Sequence, residues 1–284
     1  MEKLKILLPK GRIYENVIKL FDGAGITISL PERAYRPTVN QDDLEAKVMK
    51  PQNIGKLLEL GAHDIGFTGR DWIDETDADV EEILDLGFDK VRLIAAVPDE
   101  IDDSFIYDKR VIVATEYDKI AQRWLDKKKI NSLIVHTNGA TEVFPPDDAD
   151  MIIDNTSTGR TLKENGLRIV DTIMTSSTRM FASKEALKNP DKKQKIMELK
   201  MLFEAVLEAR DKVMLEMNVI VSSFEKLVKA IPAMRSPTVS PLYGDDGYAI
   251  KVAVKKSEVP VLLPKLKKLG ATDILEYDLR KVLS

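Results

Sequence analysis

Residues 150–166 read DMIIDNTSTGRTLKENG, and this stretch decides the architecture. An apolar strand, Ala149 to Asp154, runs into a hydroxyl-rich loop and then into a helix. The same strand–loop–helix unit recurs on both sides. Upstream, LKILL (4–8) ends at Pro9, Lys10 and Gly11, after which Ile13, Val17, Leu20 and Phe21 follow at helical spacing until Gly25. Ile26 to Leu30 reads as a second short strand and LEAKVMK (44–50) as a third. Pro51 stands at the first position of a helix carrying Ile54, Leu57 and Leu58, and the unit closes in DIGFTGRD (64–71). Val91–Val97, Arg110–Ala114 and Ser132–Val135 are further strands, with Ala121–Leu125 on a helix between them. This alternation implies an α/β fold with mostly parallel strands.

Beyond Pro190 the pattern changes. Ile196, Leu199, Phe203, Val206, Val213 and Met217 recur mostly three, four or seven apart, which predicts one long amphipathic helix over 192–217 connecting two domains. Strand 219–221, helix 223–231, strand 236–242, turn 244–247, strand 248–254, helix 259–269 and strand 272–277 follow. Their order is βαββαβ, the ferredoxin-like split βαβ module of roughly 70 residues, which can form its own core.

The 284 residues are 44% hydrophobic and 32% charged, with 43 basic and 47 acidic side chains and a formal net charge of -4. That length implies two or three domains. The charge supplies no attraction for nucleic acid or an anionic membrane, so neither is expected as a partner, and any phosphate must be held by a local cluster of donors. Cysteine is absent, which excludes disulfides, thiolate catalysis and Cys-based zinc sites. His63 and His136 lie far apart, without metal-ligand spacing. The four-residue apolar block Ile6 to Pro9 is too short for a signal peptide, and no run approaches the ~18 apolar residues of a spanning helix, so a cytoplasmic protein is expected.

Within 150–166, Asn155, Thr156, Ser157, Thr158 and Thr161 offer side-chain donors, and Gly159 lets the backbone approach a ligand. A helix start carries partial positive charge, so a phosphate can be held there by unpaired amides. Three charge-assisted hydrogen bonds supply ~4 kcal/mol or somewhat more, a millimolar-class affinity, and Arg160 adds a cation. Thr161 and Glu164 equally fit a capping box that only starts a helix, and this window by itself leaves both readings open. A Walker A loop is disfavoured, because it needs glycine at position 154, which holds Asp, and lysine where Arg160 stands. Asp154, with Glu142 and Asp150 upstream, offers oxygen ligands to Mg²⁺, an ion usually bound through few protein oxygens plus substrate phosphates. Asp147 and Asp148 read as a solvated acidic loop. Three other loops, 9–12, 33–36 and 68–71, follow apparent strands and bring cations to the ends where α/β sheets gather ligands.

LPKGR (8–12), GAHDIGFTGRDW (61–72), DNTSTGRTLKENGL (154–167) and AIPAMRSPTVSPL (230–242) resemble the long form of ATP phosphoribosyltransferase, the first enzyme of histidine biosynthesis. The similarity spans essentially the whole chain. It implies two catalytic lobes like a type II periplasmic binding protein, lobe one over 1–90 plus about 180–210 and lobe two over 91–179, with the active site in the cleft between them. An ACT-like regulatory domain over 211–284 completes the chain. The implied reaction transfers the 5-phosphoribosyl group of phosphoribosyl pyrophosphate to N1 of ATP and releases pyrophosphate.

The resemblance further implies residue roles. Thr156, Ser157, Thr158, Gly159, Arg160, Thr161 and Leu162 take the 5-phosphate, and Asp154, Arg160 and Thr161 are catalytic. Asn155 and Thr156 stand where the family usually has apolar residues. Lys10, Gly11, Arg12, Arg33, Arg36, Gly69 and Arg70 go to pyrophosphate or ATP phosphates, Asp71 orients a cation, and Glu142 and Asp154 face Mg²⁺. Histidine, as feedback inhibitor, would meet Asn218, Met234, Thr238 and Asp273, with Asn218 where an acidic residue is usual. A homo-oligomer, dimer or hexamer, is implied. The rival from another class is a non-catalytic cytoplasmic two-lobed binding protein or sensor.

Overall fold

The computed structural model describes residues 2–31, 34–102, 105–232, 236–244 and 246–283. It divides into two compact units, Met1–Lys19 with Thr27–Met197 and Leu20–Ile26 with Glu198–Ser284.

The first unit holds two five-stranded sheets. One has the order Leu44–Met49, Leu4–Pro9, Ile65–Gly69, Thr178–Ala182, Glu81–Asp85. The run LKILL becomes its interior strand because Ile6, Leu7 and Leu8 are all buried, as expected of a strand covered on both faces. Helix Pro51–Glu59 lays Ile54 and Leu58 against Leu7 and Phe181. The other sheet has the order Leu167–Ser176, Val91–Pro98, Met151–Thr156, Val111–Thr115, Ser132–His136. Its core gathers Leu93, Val113, Tyr117, Trp124, Met151 and Ile153.

Each sheet has a parallel half and an antiparallel half, which corrects the expectation of mostly parallel strands. The reversed strands are Thr178–Ala182 in the first sheet and Val91–Pro98 in the second. Val91–Pro98 carries the same buried apolar run as the parallel strands beside it, so apolar content does not reveal strand direction. The chain passes from the first sheet to the second after Asp85 and returns at Ser177. The two passages are tied together by Leu86 N–H to Thr178 C=O (3.1 Å) and Thr178 N–H to Phe88 C=O (3.0 Å).

In the second unit a four-stranded antiparallel sheet has the order Thr238–Pro241, Gly247–Lys255, Lys212–Ile220, Thr272–Asp278. Helices Val221–Val228 and Val259–Lys268 complete the βαββαβ order. The long helix is shorter than its periodicity suggests, Pro190–Arg210, and Lys212–Ile220 is one strand. Val213 and Met217 are four apart, and four satisfies both the helical and the two-residue period. Leu215 and Val219, buried on the same face, show that the two-residue period holds. No helix among the described residues is long and apolar enough to cross a membrane.

Candidate active site

Strand Met151–Thr156 buries Met151, Ile152 and Ile153 and so delivers Asp154 at the edge of a cleft. The Asp154 carboxylate accepts the Asn155 N–H at 2.6 Å and the Thr141 hydroxyl, which itself lies 3.2 Å from the Thr137 hydroxyl. Burial pushes the Asp154 carboxyl up to about 6; the two hydrogen bonds oppose this, and nearby Glu116 and Glu142 reinforce it.

The loop then turns at Gly159, whose φ of 76° lies in the left-handed region that favours glycine. Its N–H donates to Thr156 Oγ1 at 3.0 Å, and the Arg160 N–H approaches Thr158 Oγ1 at 3.4 Å. Helix Arg160–Glu164 starts immediately afterwards with Gly159 at its N-cap, so the capping box with Thr161 as cap does not form. Thr161 is inside the helix. A helix of five residues has a small dipole. Leu162, buried with Ile94, Ile152 and Leu167, pins the helix to the sheet.

Arg12, Glu142, Asp154, Thr156, Ser157, Thr158, Arg160, Thr161 and Leu162 line one cleft of about 560 Å³, joined there by Glu116 and Asn155. Arg12 is largely exposed, 3.6 Å from Asp89, and Arg160 pairs with Glu164 at 2.7 Å on the surface. The exposed Arg160–Glu164 pair is worth only ~0.3–0.5 kcal/mol and yields readily to a competing anion.

Among the described residues, the remaining expected cations are not gathered in this cleft. Lys10 and Gly11 line a separate recess of about 310 Å³, with Lys10 Nζ 5.5 Å from the centre of the Tyr35 ring. Arg36 pairs with Glu45 at 2.9 Å. Arg70 is held by Asp74 (2.8 Å) and Glu82 (2.9 Å) and lines a different cavity, of about 550 Å³, beside Trp124. Its guanidinium is therefore engaged by carboxylates, because it points along its own helix toward strand Glu81–Asp85. Arg33 lies outside the described residues.

Asp71 also departs from its expected part. Its buried carboxylate accepts the hydroxyls of Tyr117 (2.8 Å) and Ser176 (2.6 Å) rather than orienting a cation. Gly69 permits this, since a Cβ there would stand 2.0 Å from Asp71 Oδ1. Burial and the Asp71 charge push the Tyr117 phenol far above its ordinary value, so it stays protonated and donates. Tyr117 stacks on Trp72 at 4.5 Å and accepts from Asn155 Nδ2 at 2.9 Å. Glu116, Tyr117 and the partner role of Asn155 escaped the sequence reading. Their position just after strand Val111–Thr115, at the end where ligands gather, was the available signal.

Glu142 and Asp154 do come together, but among the described residues no three His or carboxylate side chains form a group able to hold a metal ion. In the second unit Asn218 Nδ2 donates to Asp273 Oδ2 at 3.0 Å. Thr238 lies on the far side of the intervening strand Gly247–Lys255, about 10 Å away in the hydrogen-bonding direction. Met234 lies outside the described residues.

This construction, a two-sheet α/β unit carrying a hydroxyl-lined cleft beside a half-buried carboxylate, has counterparts among known transferases. The sequence profile described as ATP phosphoribosyltransferase matches residues 50–205, and that of HisG, C-terminal domain, matches residues 209–281. An ATP phosphoribosyltransferase of Pelodictyon phaeoclathratiforme is 41% identical over 99% of this chain and 97% of its own length, and one of Thermodesulfovibrio yellowstonii is 39% identical over 99% and 98%. A solved ATP phosphoribosyl transferase (HisG:HisZ) complex from Thermotoga maritima is similar with a TM-score of 0.62 at 27% identity, covering 69% of this chain and 98% of that one. The chain belongs to the ATP phosphoribosyltransferase family.

Proposed function

We propose that the chain joins the 5-phosphoribosyl group of phosphoribosyl pyrophosphate to N1 of ATP and releases pyrophosphate, the first step of histidine biosynthesis. The observation that carries this reading is the placement of the hydroxyl loop, Asp154 and Arg12 in one cleft. Ser157, Thr158, Gly159, Arg160 and Thr161 hold the 5-phosphate. Asp154, ionised at pH 7 despite its raised pKa, accepts from the ribose hydroxyls and stabilises the positive charge that develops on the sugar as pyrophosphate departs. Adenine N1 is unprotonated near pH 7 and carries its own lone pair. No general base is needed, and the chain's task is in-line placement of two polyanions.

Mg²⁺ fits this cleft as an ion carried by the substrate's phosphates. The donors are carboxylate oxygens, and the crowding of Glu116 and Glu142 around Asp154 is a charge that a divalent cation relieves. When bound, it supplies neutralisation of the pyrophosphate oxygens.

On this reading residues 1–90 with about 180–210 form one lobe and 91–179 the other, arranged as in type II periplasmic binding proteins. Residues 211–284 form an ACT-like domain that takes histidine as feedback inhibitor near Asn218 and Asp273, in a homo-oligomer acting in the cytoplasm. The test is to mix the protein with ATP, phosphoribosyl pyrophosphate and Mg²⁺. Ultraviolet change with stoichiometric pyrophosphate release is expected. Binding of both nucleotide and sugar without either signal would overturn the transferase and leave a binding protein.

A further inference from the structure

A second recess of about 410 Å³ adjoins the cleft, the two sharing Val91 and Ser157. It lies where the chain passes twice between the two sheets, and Lys90, Arg92, Ser176, Ser177 and Arg179 line it together with Asp85. Strand pairing fixes the geometry. Arg92 stands opposite Thr156 on one neighbouring strand and opposite Thr175 on the other, so its Cα is held between the phosphate-loop strand and the returning strand.

The charges here differ from those of the loops that sequence alone singled out. Arg179 is already occupied by Glu82 (2.7 Å) and Asp85 (3.3 Å), and the hydroxyls of Ser176 and Ser177 donate to Asp71 and Asp85. Lys90 and Arg92 are exposed, and neither forms an ion pair among the described residues. Two unengaged cations therefore face a recess whose single lining carboxylate, Asp85, is matched by Arg179.

We infer that Lys90 and Arg92 form an oligophosphate subsite beside the phosphoribosyl loop, taking a chain of two or three phosphates. This rests on the proposed transferase reading, in which the cleft must hold both the triphosphate of ATP and the diphosphate of the sugar donor. Arg92 supplies a planar fork for two phosphate oxygens and Lys90 a point charge. The recess touches residues of both sheets, so an oligophosphate seated there ties the two together as well as being held in line with the loop.

The experiment measures binding of inorganic tripolyphosphate, inorganic pyrophosphate and ribose 5-phosphate to the full chain by calorimetry. It compares the wild type with Lys90→Gln, Arg92→Gln and the double variant. The double variant is expected to lose at least ~10-fold in tripolyphosphate or pyrophosphate affinity, the scale of a charge-assisted contact, while ribose 5-phosphate changes less than ~2-fold. Retained ribose 5-phosphate binding reports that the fold is intact. Unchanged binding of both inorganic probes overturns the subsite. Turnover separates the two readings: an active wild type whose double variant keeps its inorganic-probe affinity refutes the subsite alone, and an inactive wild type whose double variant loses it refutes the transferase alone. In an active enzyme, a raised KM for ATP assigns the recess to the triphosphate, and a raised KM for phosphoribosyl pyrophosphate assigns it to the diphosphate.

Discussion

Asp71 follows a buried strand, Asp154 stands near the end of another, and three hydrogen bonds through Asn155 and Tyr117 join their carboxylates, yet their surroundings are opposite. Asp71 is closed in by two hydroxyls, and its own N–H approaches Ser176 Oγ at 3.1 Å. Asp154 has one backbone donor and one hydroxyl, faces two further carboxylates and is driven toward protonation. A carboxylate shielded from water with its partners supplied is a joint between parts of the fold. One left short of them is set up for a ligand, because the ligand's donors complete what the protein withholds.

The largest break in that contrast comes from Asp154→Asn. We expect kcat/KM to fall by ~10²–10³, the scale of removing a charge aimed at the transition state. The same variant should be more stable than the parent. The folded protein holds the Asp154 proton more tightly than the unfolded chain between roughly pH 4 and 6, so its contribution lowers stability as pH rises through that window and is constant above it. Thermal or urea unfolding at pH 8 should therefore show a gain of up to ~3 kcal/mol that vanishes below about pH 4. Loss of stability at pH 8 would remove Asp154 as the frustrated member of the pair.

Next in size, Arg160→Ala with Thr161→Ala should raise the KM for phosphoribosyl pyrophosphate ~10–100-fold while leaving that for ATP within ~3-fold. Equal losses for both substrates in steady-state kinetics would dissolve the division between loop and nucleotide. On the other side of the comparison, Tyr117→Phe removes a donor from buried Asp71 and should cost ~1–3 kcal/mol in urea unfolding. A neutral result would show that Ser176 alone satisfies that carboxylate. The smallest effect on turnover belongs to Asp273→Ala, which breaks the exposed contact with Asn218. Uninhibited kcat should stay within ~2-fold and stability within ~0.5 kcal/mol, while the histidine concentration for half-inhibition rises at least ~10-fold. An unchanged inhibition curve would remove Asp273 from the regulatory pocket.

The two carboxylates also mark how far the sequence could be read. The strand, the loop around Gly159 and the helix after it were legible because all their parts lie within a dozen residues, although the same window also fitted a capping box that only starts a helix. The surroundings of Asp71 were not legible, because its partners Tyr117 and Ser176 stand 46 and 105 residues away. The cations at positions 10, 36 and 70 drew attention by sitting next to turns, and local sequence does not reveal that Glu45, Asp74 and Glu82 engage two of them. Lys90 and Arg92 gave no signal at all, since they open a strand whose apolar body, Leu93 to Val97, dominates the pattern.

By itself the sequence determined the alternating strands and helices, the βαββαβ order near the C-terminus and the loop around Gly159. Each of these follows from periodicity or from backbone freedom within a short window, where neighbours along the chain are also neighbours in space. Only the tertiary structure decided which charges remain available and which strands run antiparallel. Those outcomes depend on hydrogen bonds and ion pairs between residues brought together by folding, and nothing in the local order of side chains encodes them.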